Sequence, residues 1–432
     1  VATITAKRGI GSFPAVRHDC RARHSRYHFV FARKRGKNMS LSDFRLEARA
    51  WLEENCPAGA RGEGQIPTGS TRIPIEDPDV RLWLDLMIEK GWTVPTWPAE
   101  YGGAGLSKDE FVVLVEEMRR IDARPPLMGM GTGLIGPTLL ELGTDDQKAR
   151  HLPRIARGEV AWCQGYSEPA AGSDLASLRT RAEDKGDHFV INGQKIWTSG
   201  AQFADWMFCL VRTDPDAPKH DGISFVLLTM DQPGVTVKPI RLISGNSPFC
   251  ETFFDDAIAK KEDLVGELNR GWTVGKRLLQ HERSGMSALV GARNRDPGGS
   301  LEHVAVRYLG RDADGRIDDA AMRASVLTHN MNAHAFRLTQ RRTVQESQDG
   351  STPGPATSIF KMYGTELQQE KSDLMCRIRG TRGYGWTGET FTDEEREWTR
   401  TFLSSRAASI YSGSNEIQRN IIAKRVLGLP DV

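Results

Sequence analysis

Glu282 stands at helical spacing from Leu278, Leu279 and Met286, so a carboxylate falls within an otherwise apolar stripe. Apolar confinement raises the basicity of a carboxylate and suits it to take a proton from carbon. The bland reading of the same position is a buried acid satisfied by Arg283 or another polar group. A second set of residues lies between Trp162 and Gly200. There a turn of small residues holds Ser167, Glu168, Pro169, Gly172, Ser173 and Asp174, and alternating runs lead on to Trp197, Thr198 and Ser199. Small residues let backbone amides approach an anion, and the hydroxyls of Ser167, Ser173 and Ser199 add donors to a phosphate or a ring. Taken one at a time, these are residues of an ordinary surface loop, and Trp197 alone is as suited to a core as to a cofactor. A third set, Tyr411-Ser412-Gly413-Ser414, offers a hydroxyl at Ser412 with no activating partner in view, which makes it a weak base or nucleophile. No His, Cys, Asp or Glu cluster has metal-ligand spacing.

These residues need three kinds of element to position them. From Leu41 the pattern is helical: FRLEARAWLEENC, VRLWLDLMIEKGW with Gly91 ending it, a run over 108–121, and an Asp-rich helix start at Asp145 and Asp146. Between them, residues 91–105 read as a rigid aromatic and proline loop. From about 161 the period changes to short strands, including WMFCLVRT and GISFVLLTM, separated by turns. Helical spacing returns near Asn269 and continues through AMRASVLTHNMNAHAFRLTQRRTV and SIFKMYGTELQQEKSDLMCRI, whose mixed faces suggest a bundle. The expected domains are a basic extension at 1–38, an N-terminal helical domain at 39–160, a middle β-barrel domain at 161–265 and a C-terminal helical bundle at 266–432.

At 432 residues the chain is long enough for two or three cores. Its net charge of +2 hides an asymmetry. Residues 1–38 carry ten Lys or Arg and one acid, giving +9, which leaves −7 for the rest. The body therefore lacks the concentrated basic field of a nucleic-acid binder. The basic segment reads as a non-structural extension: a disordered tail, a targeting sequence, or translation upstream of Met39. No apolar run is long enough to span a bilayer. The six cysteines are scattered, as expected for free thiols in a reducing, cytoplasmic setting.

SEPAAGSD followed by NGQKIWTSG closely resembles the central segment of the acyl-CoA dehydrogenase family, and the likeness extends over about 41–430. The resemblance implies FAD, with Ser167 toward the pyrimidine side of the ring, Trp197 against the isoalloxazine, Ser199 near N5, and Ser173 helping to fix the pyrophosphate. The terminal segment resembles the one that completes the flavin site, with Ser414 and Glu416 as further FAD contacts. Many members carry their base in a C-terminal Tyr-Glu-Gly-Thr motif, where this chain has Tyr411-Ser412-Gly413-Ser414. A smaller branch takes its base from the inner helix in a Glu-Arg pair, which Glu282-Arg283 resembles. On that comparison Glu282 removes the α proton of an acyl-CoA thioester and the β hydride passes to FAD, giving a trans-2-enoyl-CoA. Arg283 and Tyr411 would contact substrate, and the backbone N–H of Ser412 would polarise the thioester carbonyl.

Two motifs depart from the family. Arg-x-x-Phe-Gly is reduced to Arg307 and Gly310 in altered surroundings, and the Gly-rich segment becomes IRGTRGYGW with Gly380, Gly383 and Gly385. These departures leave three assemblies open: a homodimer, a homotetramer, or a heterotetramer with a related chain. Electrons would pass to an electron-transfer flavoprotein. An inner-helix base is associated with long, branched or bulky acyl groups. The competing readings are a flavin-binding partner subunit whose relative carries catalysis, and a flavin-dependent monooxygenase on the same fold.

Overall fold

Local signals start the helices of the N-terminal layer. Helix α1 (Leu41–Asn55) begins at Ser40, whose hydroxyl accepts from Asp43 N while the Asp43 carboxylate accepts in return. Helix α3 (Lys108–Arg120) has the same reciprocal cap between Ser107 and Glu110, and α2 (Pro78–Glu89) starts from Asp77 with proline at its first position. Phe44, Ala48 and Leu52, four residues apart, bury one face of α1 against Trp83, Met87, Trp92 and Leu114. The computed structural model describes residues 40–283, 299–346 and 357–430, with the side chains of 281–283, 341, 343–346 and 357 outside that description. The layer closes with α4 (Gly136–Leu142), entered through a widened turn at Gly131–Ile135, and α5 (Asp145–Ala156), capped by Thr144. Thr93 donates to Ala156 O at 2.7 Å and ties the 91–105 loop to the end of α5.

Seven strands then form one curled sheet: β1 (Trp162–Gly165), β2 (Arg181–Asp184), β3 (His188–Ile196), β4 (Trp206–Arg212), β5 (Ile223–Thr229), β6 (Val235–Ile240) and β7 (Phe249–Lys260). The path runs β1-β4-β2-β3-β7-β6, with β5 also on β4. The curl gives the barrel-like middle domain that the turn spacing implies, as a half-barrel. Strand β4 has parallel partners in β1 and β2 and an antiparallel one in β5, so it is an interior strand, and it is buried on both faces. Strands β3 and β7 make the longest ladder, Phe189 opposite Ala259 through Ile196 opposite Glu251, with a register shift between Ile191 and Gly193. The extra residue of that bulge is on β7, where Asp256 adopts φ 55° and Asn192 bonds both its N–H and its carboxylate at 2.9 Å.

Helix α6 (Gly271–Arg283) lies on this sheet. Gly271, Val274, Gly275 and Leu278 form its buried face, and Val274 and Leu278 share a core with Ile135, Leu139, Tyr166, Leu210 and Phe225. A Cβ at Gly271 would meet Phe225 N and Ser224 C at 2.3 Å, so only glycine lets the helix start this close to the β5 backbone. The remaining helices, α7 (Leu301–Leu309), α8 (Ala320–Glu346), α9 (Thr357–Arg379), α10 (Asp393–Ser405) and α11 (Asn415–Ile421), form the C-terminal bundle around Val304, Val326, Met375, Ile378 and Trp398. Among the described residues, no helix is long and apolar enough to cross a membrane.

Candidate active site

The edge of the sheet presents the Ser167 and Trp197 loops side by side. Ser167 O accepts from Ile196 N at 2.9 Å, which joins the turn after β1 to the end of β3. Alternation along β3 places Phe189, Ile191 and Lys195 inward, and the next residue of that parity is Trp197. Trp197 instead takes φ 62°, which breaks the alternation: the residue is 52% exposed, and Thr198 goes inside in its place. Thr198 Oγ1 bonds Cys250 O at 3.0 Å and Thr252 Oγ1 at 2.9 Å, and Thr198 N and Gly200 N donate to Cys250 O and Pro248 O. The Trp197 ring stands edge-on to Phe249 with centroids 6.0 Å apart. A non-glycine residue held left-handed with a large exposed ring is costly on both counts. Such a shelf fits a planar aromatic cofactor that covers the ring.

Beneath the shelf is a buried ion pair that sequence reasoning missed. Lys195 is fully buried, and its ammonium donates to Glu168 Oε1 at 2.8 Å and to Tyr166 O at 3.1 Å. Glu168 also accepts from Arg179 N at 2.6 Å and Thr180 N at 2.8 Å. Burial works to raise the Glu168 carboxyl, and the charge and hydrogen bond of Lys195, with the Thr180 and Arg179 donors, outweigh it, so the group stays below the usual range. Signals for this pair were present: a lysine at an inward position of a strand requires a buried partner, and Glu168 sits in the adjoining turn. Arg212 was also missed. Its guanidinium holds Ala176 O, Leu178 O, Lys219 O and Asp221 O and so shapes the turn after Ser173, itself exposed.

Tyr166 connects this shelf to α6 through a 3.4 Å bond from its hydroxyl to Gly275 O. Glu282 is a helical residue four positions beyond the buried Leu278, and the side chains of Glu282 and Arg283 lie outside the described residues. At the opposite end of α6, His220, Asp221, Arg270, Trp272, Thr273 and Lys276 line an open depression of about 410 Å³. The His220 and Trp272 rings are 5.1 Å apart there, and Arg270 pairs with Asp221 at 2.8 Å.

Residues 411–416 are organised separately, on α9. Lys361, Thr365, Gln369 and Ser372, spaced four, four and three apart, form a polar row along that helix. Lys361 donates to Ala408 O, and its ammonium lies 5.2 Å from the centroid of the Tyr411 ring. Thr365 donates to Asn415 Oδ1 at 3.1 Å, Gln369 to Ser405 O and Ser409 Oγ at 3.0 Å, and the Ser372 hydroxyl meets that of Ser405 at 2.8 Å. Ser412 adopts φ 53° and Gly413 φ 87°, so the chain turns sharply where the family's usual motif would place a carboxylate. Ser414 caps α11 by accepting from Ile417 N at 3.4 Å, Glu416 lies 3.5 Å from Arg419, and Arg419 reaches Glu366 of α9 at 2.7 Å. Partial burial pushes the Tyr411 phenol up.

Parts of the altered motifs make contacts within the chain. Arg307 pairs with Glu394 at 2.6 Å, and Tyr308 donates to Glu395 at 2.8 Å, so both are engaged within the chain. A Cβ at Gly383 would strike Cys376 O at 2.3 Å, which ties this glycine to packing on the end of α9. Gly380 has φ 55°. No group of three or more His, Cys, Asp or Glu side chains among the described residues is placed to hold a metal.

A helical layer, a curled sheet with an exposed aromatic shelf, and a helical bundle together define a flavin-dependent oxidoreductase acting on acyl-CoA thioesters. Family profiles match in the same order: acyl-CoA dehydrogenase N-terminal domain over 41–159, middle domain over 163–257 and C-terminal domain over 269–427. The chain belongs to the acyl-CoA dehydrogenase family and is an FAD-dependent enzyme. Acyl-CoA dehydrogenase IpdE1 of Mycobacterium tuberculosis is 39% identical over 398 residues, covering 90% of this chain and 98% of the relative. Among solved structures, the Tcur3481-Tcur3483 steroid ACAD is 31% identical with a TM-score of 0.72, covering 91% of this chain and 98% of its own. The ChsE4-ChsE5 complex from Mycobacterium tuberculosis is 29% identical with a TM-score of 0.69, covering 93% and 100%.

Proposed function

We propose that Glu282 is the catalytic base of an α,β-dehydrogenation that converts a bulky or branched acyl-CoA to its trans-2-enoyl-CoA. The observation that carries this reading is the pairing of Ser412, in a left-handed turn where many relatives keep a carboxylate, with a glutamate one turn beyond the buried Leu278 of α6. In this role Glu282 takes the α proton of the thioester, and FAD, when bound, would supply the two-electron acceptor for the hydride of the β carbon. The proton and the hydride lost from the α and β carbons are then both accounted for, and the electrons would pass on to an electron-transfer flavoprotein.

The residues suited to hold FAD are Ser167, Trp197 and Ser199 at the shelf, Ser173 in the turn that Arg212 shapes, and Ser414 and Glu416 at the start of α11. In this reading the Ser412 N–H serves the thioester carbonyl, and Arg283 and Tyr411 are assigned to the substrate. The CoA phosphates suit the depression of His220, Arg270 and Lys276. Arg270 precedes Glu282 by twelve residues, about 18 Å along the helix, a span an extended pantetheine arm covers. The steroid ACAD relative supports a bulky, ring-bearing acyl group, and the two-chain relatives support assembly with a related subunit. The five described cysteines are free thiols, which supports a reducing, cytoplasmic setting.

The test is anaerobic bleaching of the flavin absorption by straight, branched and steroid-like acyl-CoAs, beside Glu282→Gln. One acyl class should reduce the wild type rapidly, and the variant should keep its FAD and lose nearly all reduction. Normal reduction in the variant would assign the base elsewhere. Reduction by NADH with oxygen transfer, in the absence of acyl-CoA turnover, would favour a monooxygenase.

A further inference from the structure

The polar row of α9 holds the segment that carries Ser412. Three of its members grip the segment at fixed points: Gln369 on Ser405 and Ser409, Lys361 on Ala408, and Thr365 on Asn415. Lys361 is distinctive among them because it is charged, half-buried, and touches both sides of the turn. Its ammonium binds the Ala408 carbonyl and lies over the Tyr411 ring, while Ile410 N and Tyr411 N fold back onto Ala407 O at 2.9 and 3.1 Å. Tyr411 is the residue before the left-handed Ser412, so the orientation of the Ser412 peptide follows from where the Tyr411 ring is held. A cation over an aromatic face in a partly desolvated site is a firm anchor.

We propose that Lys361 is a positioning residue for the reaction: by fixing Ala408 and Tyr411 it aims the Ser412 N–H at the carbonyl oxygen of the thioester. The assignment rests on the reading that this N–H stabilises negative charge on that oxygen. Displacing a donor of this kind by about 1 Å costs on the order of 100-fold in rate. Ground-state binding, spread over the rest of the acyl-CoA, changes little.

The experiment uses the full-length FAD-loaded enzyme as wild type, Lys361→Met and Lys361→Arg. Three quantities are measured: FAD content, the rate of flavin reduction by the best acyl-CoA, and the long-wavelength absorption band produced by a 3-thia-acyl-CoA, which can lose its α proton but has no β hydride to give. The Met variant should retain FAD and bind the thia analogue within about threefold of wild type, yet lose the band and about 100-fold in reduction rate. The Arg variant should restore most of both, because it keeps a cation over Tyr411. Reduction by the Met variant at the wild-type rate overturns the proposal. Loss of FAD or of fold in the Met variant, or equal damage in Met and Arg, also overturns it by assigning Lys361 a purely structural role. Failure of the wild type to be reduced by any acyl-CoA refutes the underlying thioester reading instead, and shows before either variant is compared.

Discussion

Glu168→Gln is the most informative single change beneath the aromatic shelf. In the wild type the Lys195 ammonium, fully buried, has two acceptors, Glu168 Oε1 at 2.8 Å and Tyr166 O at 3.1 Å. The substitution removes the compensating charge and leaves the ammonium with a neutral carbonyl in a dry site, a change that typically costs about 3–5 kcal/mol. Glutamine can still accept from one of the two N–H groups of Arg179 and Thr180, so about 4 kcal/mol is expected, and Lys195→Met alone should cost about 3 kcal/mol by stranding the carboxylate. The double variant has no buried charge and should lose only about 2 kcal/mol, which gives a coupling of roughly 5 kcal/mol between the two sites. The assay is urea unfolding at pH 7, followed by far-UV circular dichroism and by release of FAD fluorescence. A Glu168→Gln loss under about 1 kcal/mol, or a double variant as unstable as the sum of the singles, would refute the reasoning and make the pair replaceable packing.

Two further outcomes follow from the structure. Glu117 is buried and receives Arg45, Arg49 and Arg120 at 2.8 to 3.0 Å; the hydrogen bond from Arg49, with those of Arg120 and Arg45, outweighs burial and holds its carboxyl near 2 rather than 4.5. Its folded value is depressed, so its stabilisation of about 3 kcal/mol is complete above pH 4.5 and lost as pH falls toward 2; Glu117→Gln should flatten that part of the stability profile measured in urea. Gly271→Ala should cost about 1–3 kcal/mol of stability, because its methyl meets the β5 backbone and not a side chain that can yield. Thermal unfolding measures that loss, whereas a value within 0.5 kcal/mol of wild type would mean that the helix start relaxes without strain.

Much of the architecture was legible because it rests on local signals. Ser40, Asp77, Ser107 and Thr144 cap their helices, and the alternation of Phe189 and Ile191 marks β3. The shelf residues were legible only as a motif, since nothing in the spacing shows that Trp197 turns outward; that depends on a left-handed backbone set by Thr198 and Cys250, more than fifty positions apart. Lys195 could have been found from its inward parity, but its partner had to be chosen among many acids. The row from Lys361 to Ser372 has helical spacing that any half-exposed polar face shares, and its meaning appears only when the 405–415 segment is laid against it. The widened turn at Gly131–Ile135 left no mark in the hydrophobic period.

The close seating of α6 on β5 also has a mechanical consequence. The helix is clamped at Gly271 and again at Gly275, where Tyr166 meets it, and the proposed base stands eleven residues beyond the first clamp, about 16 Å along the axis. The seating of the helix on the sheet therefore sets where its far end lies. A tilt of about 10° at Gly271 would carry the Glu282 backbone by about 3 Å over that arm, more than the tolerance of a proton transfer. On the proposed role of Glu282, the placement of the base at one end of the helix depends on the fit of two glycines at the other.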